Sequence, residues 1–167
     1  QPLLIELGTL LGDILPVVVH QKYREPSVWK WQSQQPAIKF NTQAYSGDRT
    51  VPIALKLGIS ATIADSRITS VLGEDCGIWS ITAENPHNDI MRRQDDLSVY
   101  KRHLRSMFDR IKSHHGENAV INVFPAVPVS IAVETGRAWM PKADLPMQIF
   151  DQSREAHSFV PTILVGS

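Results

Sequence analysis

Apolar residues recur along this chain at two different spacings, and the changes between them mark out its elements. Leu4, Leu7, Leu10, Leu11 and Ile14 fall at helical intervals, which predicts an amphipathic helix over 3–15 that Pro16 stops. From 17 to 50 the signals mix: a β-branched run at Val17-Val18-Val19, the string Lys22-Tyr23-Arg24-Glu25-Pro26, the alternation Trp29-Lys30-Trp31, and a turn at Ser46-Gly47-Asp48. Long irregular stretches inside compact domains tend to carry function. Beyond Thr50 the order becomes regular. Strands are predicted over 51–59, 76–83, 119–124, 145–150 and 159–165, and helices over 65–72, 96–113 and 128–139. The helix over 96–113 carries the strongest pattern, with Leu97, Tyr100, Leu104, Met107, Phe108 and Ile111 on one face and Gly116 just past its end. The helix over 128–139 opens on a proline, a favoured first-turn residue.

Strands that alternate with helices imply right-handed crossovers, and near-continuous apolar strands imply burial on both faces. The expected fold class is therefore α/β, a three-layer sandwich with a mainly parallel central sheet. One folded unit is expected across 1–167, divided into an N-terminal helix with an irregular segment (1–50) and the sandwich itself (51–167). The length and the 43% apolar and 20% charged content suit a single core of this size.

Charge narrows the partners. Lys plus Arg and Asp plus Glu both number 17, so no net field draws the chain to duplex nucleic acid or to an anionic membrane, and any anion must be caught locally. The single cysteine, Cys76, excludes an internal disulfide framework and a multi-cysteine zinc cluster, which points to the reducing cytosol. Beside Gly77, Ile78 and Trp79 it reads as a buried structural thiol. The apolar run Leu3–Leu15 is too short to span a bilayer and carries Glu6 and Asp13, so it reads as a helix of the fold and not as an export signal. Because the chain begins at Gln1 and not at methionine, further sequence is expected upstream.

In an open parallel sheet the ligand crevice lies outside the carboxyl ends of the strands. That rule selects the loops at 60–62, 82–88 and 124–128. Phe124-Pro125-Ala126-Val127-Pro128 leads into a helix whose first turn holds Ser130, where free backbone N–H groups and a hydroxyl suit a phosphate. Prolines that merely set a tight turn, with Ser130 serving its own helix, account for the same string. Ser60 and Thr62 suit hydrogen bonds to sugar or phosphate, and are equally ordinary where a strand turns into a helix. Glu84, Asn85 and Asn88 suit a base edge, or simply form a loop. Trp29 and Trp31 flank Lys30 and suit stacking with a phosphate contact, or core packing.

The basic residues Lys101, Arg102, Arg105, Arg110 and Lys112, preceded by Arg92 and Arg93, are interrupted by Asp95, Asp96 and Asp109 and read as a solvated face. His114-His115 matches no zinc spacing and is expected to act on the helix dipole. No Gly-x-Gly-x-x-Gly, no phosphate-loop lysine, no Gly-x-Ser-x-Gly and no His-Glu-x-x-His occurs, so no catalytic residue and no metal ligand is assigned.

Longer strings carry a resemblance. Ile121-Asn122-Val123-Phe124-Pro125-Ala126-Val127-Pro128-Val129-Ser130-Ile131-Ala132-Val133, then Gly136-Arg137, Pro141-Lys142-Ala143-Asp144-Leu145-Pro146 and Ile149-Phe150-Asp151 closely resemble the SAVED domain. Trp29-Lys30-Trp31, Leu57-Gly58-Ile59-Ser60-Ala61-Thr62-Ile63, Ile78-Trp79 and Pro86-His87-Asn88-Asp89-Ile90 agree with it, so the likeness spans nearly the whole chain. It implies a Rossmann-like fold related to the CRISPR-associated (CARF) sensors, and the strand count implies about one CARF-like lobe. It further implies a non-enzymatic sensor of bacterial antiphage signalling that takes no cofactor. Such a sensor binds a cyclic di- or trinucleotide, assembles head to tail with copies of itself, and activates a fused or associated effector lying outside these residues. Carried over position by position, it implies ligand contacts at Ser60, Thr62, Phe124, Pro125 and Ser130, with Lys30, Trp31 and Arg137 behind them. Two alternatives remain open: a phosphodiesterase-like enzyme that cleaves the cyclic messenger using Lys30, Arg137 or His87, and a ligand-independent assembly module.

Overall fold

The computed structural model describes residues 1–14 and 16–166; Leu15, the end of the expected first helix, and Ser167 lie outside the described residues. In chain order the elements are α1 (Pro2–Leu11), β1 (Phe40–Gln43), β2 (Ile53–Gly58), α2 (Asp65–Leu72), β3 (Gly77–Ala83), α3 (Gln94–His115), β4 (Ile121–Ala126), α4 (Val129–Ala138), β5 (Met147–Ser153) and β6 (Ser158–Val165). The strands form one sheet in the order β1-β3-β2-β4-β5-β6. Its middle, β3-β2-β4-β5, is parallel as the alternating pattern predicts. Both edge pairs, β1 with β3 and β5 with β6, are antiparallel, so the mainly parallel expectation holds only in part. The reason at β6 is chain length: 154–157 can close a hairpin but not a crossover. At the other edge, Phe-Asn-Thr-Gln of β1 has no apolar run to read, because only Phe40 is even partly covered.

Alternation along the strands sorts side chains onto two unequal faces. Ile53, Leu55, Leu57, Ile121, Val123, Met147 and Ile149 join the larger core with residues of α1, α3 and α4. Ala54, Phe124, Phe150 and Phe159 pack with Ile68 of the short helix α2 and with Cys76. All six apolar positions marked out on α3 are buried, as their spacing requires. Cys76 is buried too, and burial pushes its thiol pKa up, which fits a structural role.

Helix α1 ends earlier than Pro16 predicts, at Gly12, whose φ of 59° takes it out of the helix. It packs on α4 at a point where both helices carry glycine. A Cβ on Gly136 would lie 1.9 Å from the Ile5 carbonyl oxygen, and one on Gly8 would lie 2.1 Å from that of Val133. The two backbones therefore touch, and no other residue fits either place.

At the opposite end of the sheet, α3's last turn fastens the loop ahead of β2. His114 Nε2 meets the Gly47 carbonyl at 3.1 Å, and His115 Nδ1 meets that of Arg49 at 2.8 Å. Trp79 Nε1 donates to His115 Nε2 at 3.1 Å, which requires that nitrogen to be bare and leaves the proton on Nδ1. The paired histidines thus do more than face the helix dipole, and burial lowers the His115 pKa against the opposing hydrogen bond to the Arg49 carbonyl, with the charges of His114 and Arg49 adding to the fall.

Two outcomes follow. Helix propensity alone says that Gly136→Ala stabilises by about 1 kcal/mol; the contact with Ile5 reverses the sign, and chemical denaturation is expected to show a loss of about 1–3 kcal/mol. His115, with a folded pKa below its unfolded 6.5, binds fewer protons folded than unfolded just below that value. Stability is therefore expected to fall as pH drops through about 6.5, and less steeply in His115→Gln.

Candidate functional site

Helix α2 leaves the end of β2 toward one face of the sheet and α4 leaves the end of β4 toward the other, so the chain diverges between these neighbouring strands. A crevice opens at such a switch point. Its two lips are tied at the base: Ile59 N and Ser60 N both donate to the Ala126 carbonyl, at 2.9 and 2.8 Å. The loop 60–62 then folds back toward β3, since a Cβ on Gly58 would meet Thr82 Cγ2 at 3.2 Å and the Ala61 oxygen at 3.3 Å. Ser60 is half-buried and Thr62 exposed, and among the described residues neither hydroxyl makes a hydrogen bond to the protein. Asp65, in the first turn of α2, is held by Lys56 of β2, so this charge is already balanced.

The β4–α4 turn differs from expectation. Ser130 is fully buried, and its N–H and hydroxyl donate to the same atom, Gln21 Oε1, at 3.1 and 2.9 Å. Gln21 Nε2 in turn donates to the Lys22 carbonyl. Beside it, the Gln1 carboxamide spans Val127, donating to its carbonyl at 2.9 Å. The Ser130 donors expected to meet a phosphate are thus taken by Gln21 of the irregular segment, and the Val127 N–H ahead of them by Gln1.

Three more of the expected contacts lie inside the protein. Phe124 is fully buried, stacked on Phe150 at 4.6 Å and edge-on to Phe159 at 5.1 Å. Pro125 is buried in register with Leu57, past the point where the β4–β5 ladder stops at Val123 and where a missing N–H costs nothing. Arg137 is 8% exposed; its Nε donates to the Gly12 carbonyl at 3.1 Å and Nη1 to Glu134 Oε2 at 3.1 Å, tying α4 to the end of α1. Lys30 is exposed, whereas Trp31 is half-buried against the larger core, with its Nε1 buried and unpartnered. Trp29 stays in solvent, so the two indoles do not share one environment.

A second concavity lies at the same edge beyond β3, at the loop 82–88 that the topological rule selects. It is a cleft of about 550 Å³ between segment 25–39 and loop 84–92, lined by Gln35, Lys39, Glu84, Asn85, His87 and Arg92 among others. Arg92 holds its walls together. Its Nε donates to the Asp89 carbonyl at 2.8 Å and its Nη2 to that of Glu25 at 3.0 Å, while the guanidinium sits 4.6 Å over the Tyr23 ring. The Arg92 carbonyl accepts from Gln32 N and Tyr23 Oη, and the Asp89 carboxylate accepts from the backbone of Arg24 and Glu25. Burial raises the Tyr23 pKa, with Arg92 opposing. Glu84 and Asn85 were legible in the sequence as base-edge or loop residues, whereas Arg92-Arg93 read as part of a basic stripe. Among the described residues no group of His, Cys, Asp and Glu is placed to hold a metal ion.

Comparison with known proteins places this geometry. The family model for SAVED, the SMODS-associated sensor domain fused to various effectors, matches residues 1–165. No curated protein matches the chain. Among solved structures it is similar to the Cap4 SAVED/CARF-domain containing receptor of Acinetobacter baumannii. The structure with the cyclic trinucleotide 2′3′3′-cAAA superposes with a TM-score of 0.66 at 11% identity, and that with 3′3′3′-cAAA with 0.65 at 14%. Each match covers 97% of this chain and 36% of the receptor, so the chain spans about a third of that protein's length.

The closed turn carries its own test. Ser130→Ala removes one of two bonds to Gln21 and is expected to cost about 1 kcal/mol in urea unfolding; Gln21→Ala leaves two buried donors bare and is expected to cost about 2 kcal/mol or more.

Proposed function

Since the chain belongs to the SAVED sensor domains, we propose that it senses a cyclic oligonucleotide at the edge where β3, β2 and β4 end. The observation that carries this reading is the switch point between β2 and β4, where the hydroxyls of Ser60 and Thr62 have no protein partner among the described residues, at the same sheet edge as the cleft that Arg92 braces. The ligand carried by structures of the same fold is of this class.

In this reading Ser60 and Thr62 bond to phosphate or ribose, and Lys30 and Trp31 approach from the irregular segment with charge and an aromatic face. Phe124, Pro125 and Ser130 act from beneath, setting the height and angle of the turn rather than touching the ligand. Arg137 serves the α1–α4 joint. That placement also weakens the reading as a cleaving enzyme, because Arg137 is committed to Glu134 and Gly12 and only Lys30 and His87 remain to stabilise charge at a scissile phosphate. The chain works in the cytosol without a cofactor, and ligand binding shifts an assembly equilibrium that drives an effector elsewhere in the polypeptide or in a partner.

Calorimetric titration of the full-length protein with cyclic di- and trinucleotides, 2′3′3′-cAAA and 3′3′3′-cAAA included, is expected to show binding to at least one. The Ser60→Ala, Thr62→Ala double variant is expected to bind about tenfold more weakly with an unchanged melting temperature. Silence across the whole panel would reject the receptor, and appearance of linear product would replace it with the enzyme.

A further inference from the structure

Besides Ser60 and Thr62, the cleft beyond β3 holds side chains at this edge that the protein itself leaves uncommitted. Among the described residues Gln35, Asn85 and His87 make no side-chain hydrogen bond. Arg92 is spent on Asp89, Glu25, Gln32 and the Tyr23 ring, so it offers little to a newcomer. That leaves Lys39 as the cation of the cleft, and Lys39 has a companion. It sits one residue ahead of β1, opposite Glu84, which sits one residue past β3; Glu84 N donates to the Lys39 carbonyl at 3.0 Å, and Lys39 Nζ lies 3.5 Å from Glu84 Oε2. The side chains are 78% and 53% exposed.

Such an exposed pair contributes little and parts easily, yet while closed it cancels the charge of the cleft. Resting on the function proposed above, we propose that Lys39 receives a phosphate of the nucleotide ligand and that Glu84 is its built-in competitor. Asn85, next to Glu84, presents a free carboxamide, whose adjacent donor and acceptor match the edge of a nucleobase. A cleft of about 550 Å³ has room for one nucleotide unit. A second acid, Glu25, stands on the opposite wall.

The consequence is selectivity against simple anions. A free phosphate can gain Lys39 only by displacing Glu84 and then has two carboxylates nearby and no base for Asn85. A nucleotide phosphodiester anchored also at Ser60 and Thr62 recovers at those contacts what it costs to part the pair. Glu84 thereby raises the threshold for occupancy while leaving the intended ligand able to enter.

The test titrates 3′3′3′-cAAA and 2′3′3′-cAAA into the full-length protein and into its Glu84→Gln and Lys39→Met variants, with inorganic phosphate as the comparison anion. Glu84→Gln is expected to tighten cyclic trinucleotide binding by about two- to fivefold and to improve retention of inorganic phosphate. Lys39→Met is expected to weaken the trinucleotide by a similar factor and to flatten its salt dependence. Melting temperatures should match across the three proteins, since both side chains are largely solvated. A wild-type protein that binds while Glu84→Gln binds equally or less well overturns the competitor role and leaves the receptor standing. A wild-type protein that binds no member of the wider panel sinks both.

Discussion

A ten-residue helix with almost no solvent face organises this domain. Every residue of α4 from Ser130 to Ala138 is buried, and only Val129 reaches water. A helix so enclosed must have its polar groups satisfied from within, because water cannot do it. Ser130 answers to Gln21, Thr135 to Tyr100 and the Ile131 carbonyl, and Glu134 to Arg137 and Lys101. The same enclosure forces the paired glycines, since α1 covers α4 at backbone contact and leaves no room for a methyl group at Gly8 or Gly136. The resemblance strings of the carboxyl half coincide with this helix and its approach, and much of their content is therefore packing.

Where the donors of α4 go decides where a ligand can go. A helix N-terminus is a natural anion site only while its N–H groups are open. Here the Ser130 N–H is taken, and the neighbouring Val127 carbonyl is covered by the Gln1 carboxamide. In the proposed reading, recognition at this edge then depends on side chains at the ends of β2 and β3, which are solvated and adjustable. The electrostatics agree: three carboxylates near the crevice are balanced locally, Asp65 by Lys56, Asp89 by Arg92, Glu84 by Lys39, in keeping with a chain of zero formal net charge. An anion must compete for a cation at close range, which favours ligands that bring several contacts at once.

The legible parts of this sequence were those governed by local periodicity. The face of α3 was complete in its spacing, the parallel strands showed as apolar runs, and Gly116 marked the end of α3. The strand β1 escaped because an edge strand with one partly covered residue has no pattern to show. Glycine spoke where Pro16 was expected to, since Gly12 breaks α1 before the proline is reached. The site was legible only as a set of loops. Ser60 and Thr62 stand open where the topological rule put them, but Phe124, Pro125 and Ser130 turned inward for reasons that lie far off in the chain. Gln21 and Ser130 are 109 positions apart, and Tyr23 and Arg92 are 69 apart. Neither pair leaves a spacing to read.

Those distant pairs share one stretch of chain, and this gives the irregular segment its meaning. Its start, at Gln21, closes the N-terminus of α4; its middle, from Tyr23 to Gln32, is pinned to the loop after β3 by Arg92 and Asp89; its end runs through Lys39 into β1. The segment carries few apolar anchors, since Tyr23 is buried but Trp29 is in solvent and Trp31 only half-covered, so it is held chiefly by polar bonds. Polar bonds at a solvated rim exchange with those of a ligand far more cheaply than a packed core rearranges. A molecule seated in the cleft touches the same stretch that caps α4, and α4 contacts α1 without an intervening side chain. The stretch that lines the cleft therefore also caps the helix to which α1 is joined at backbone contact.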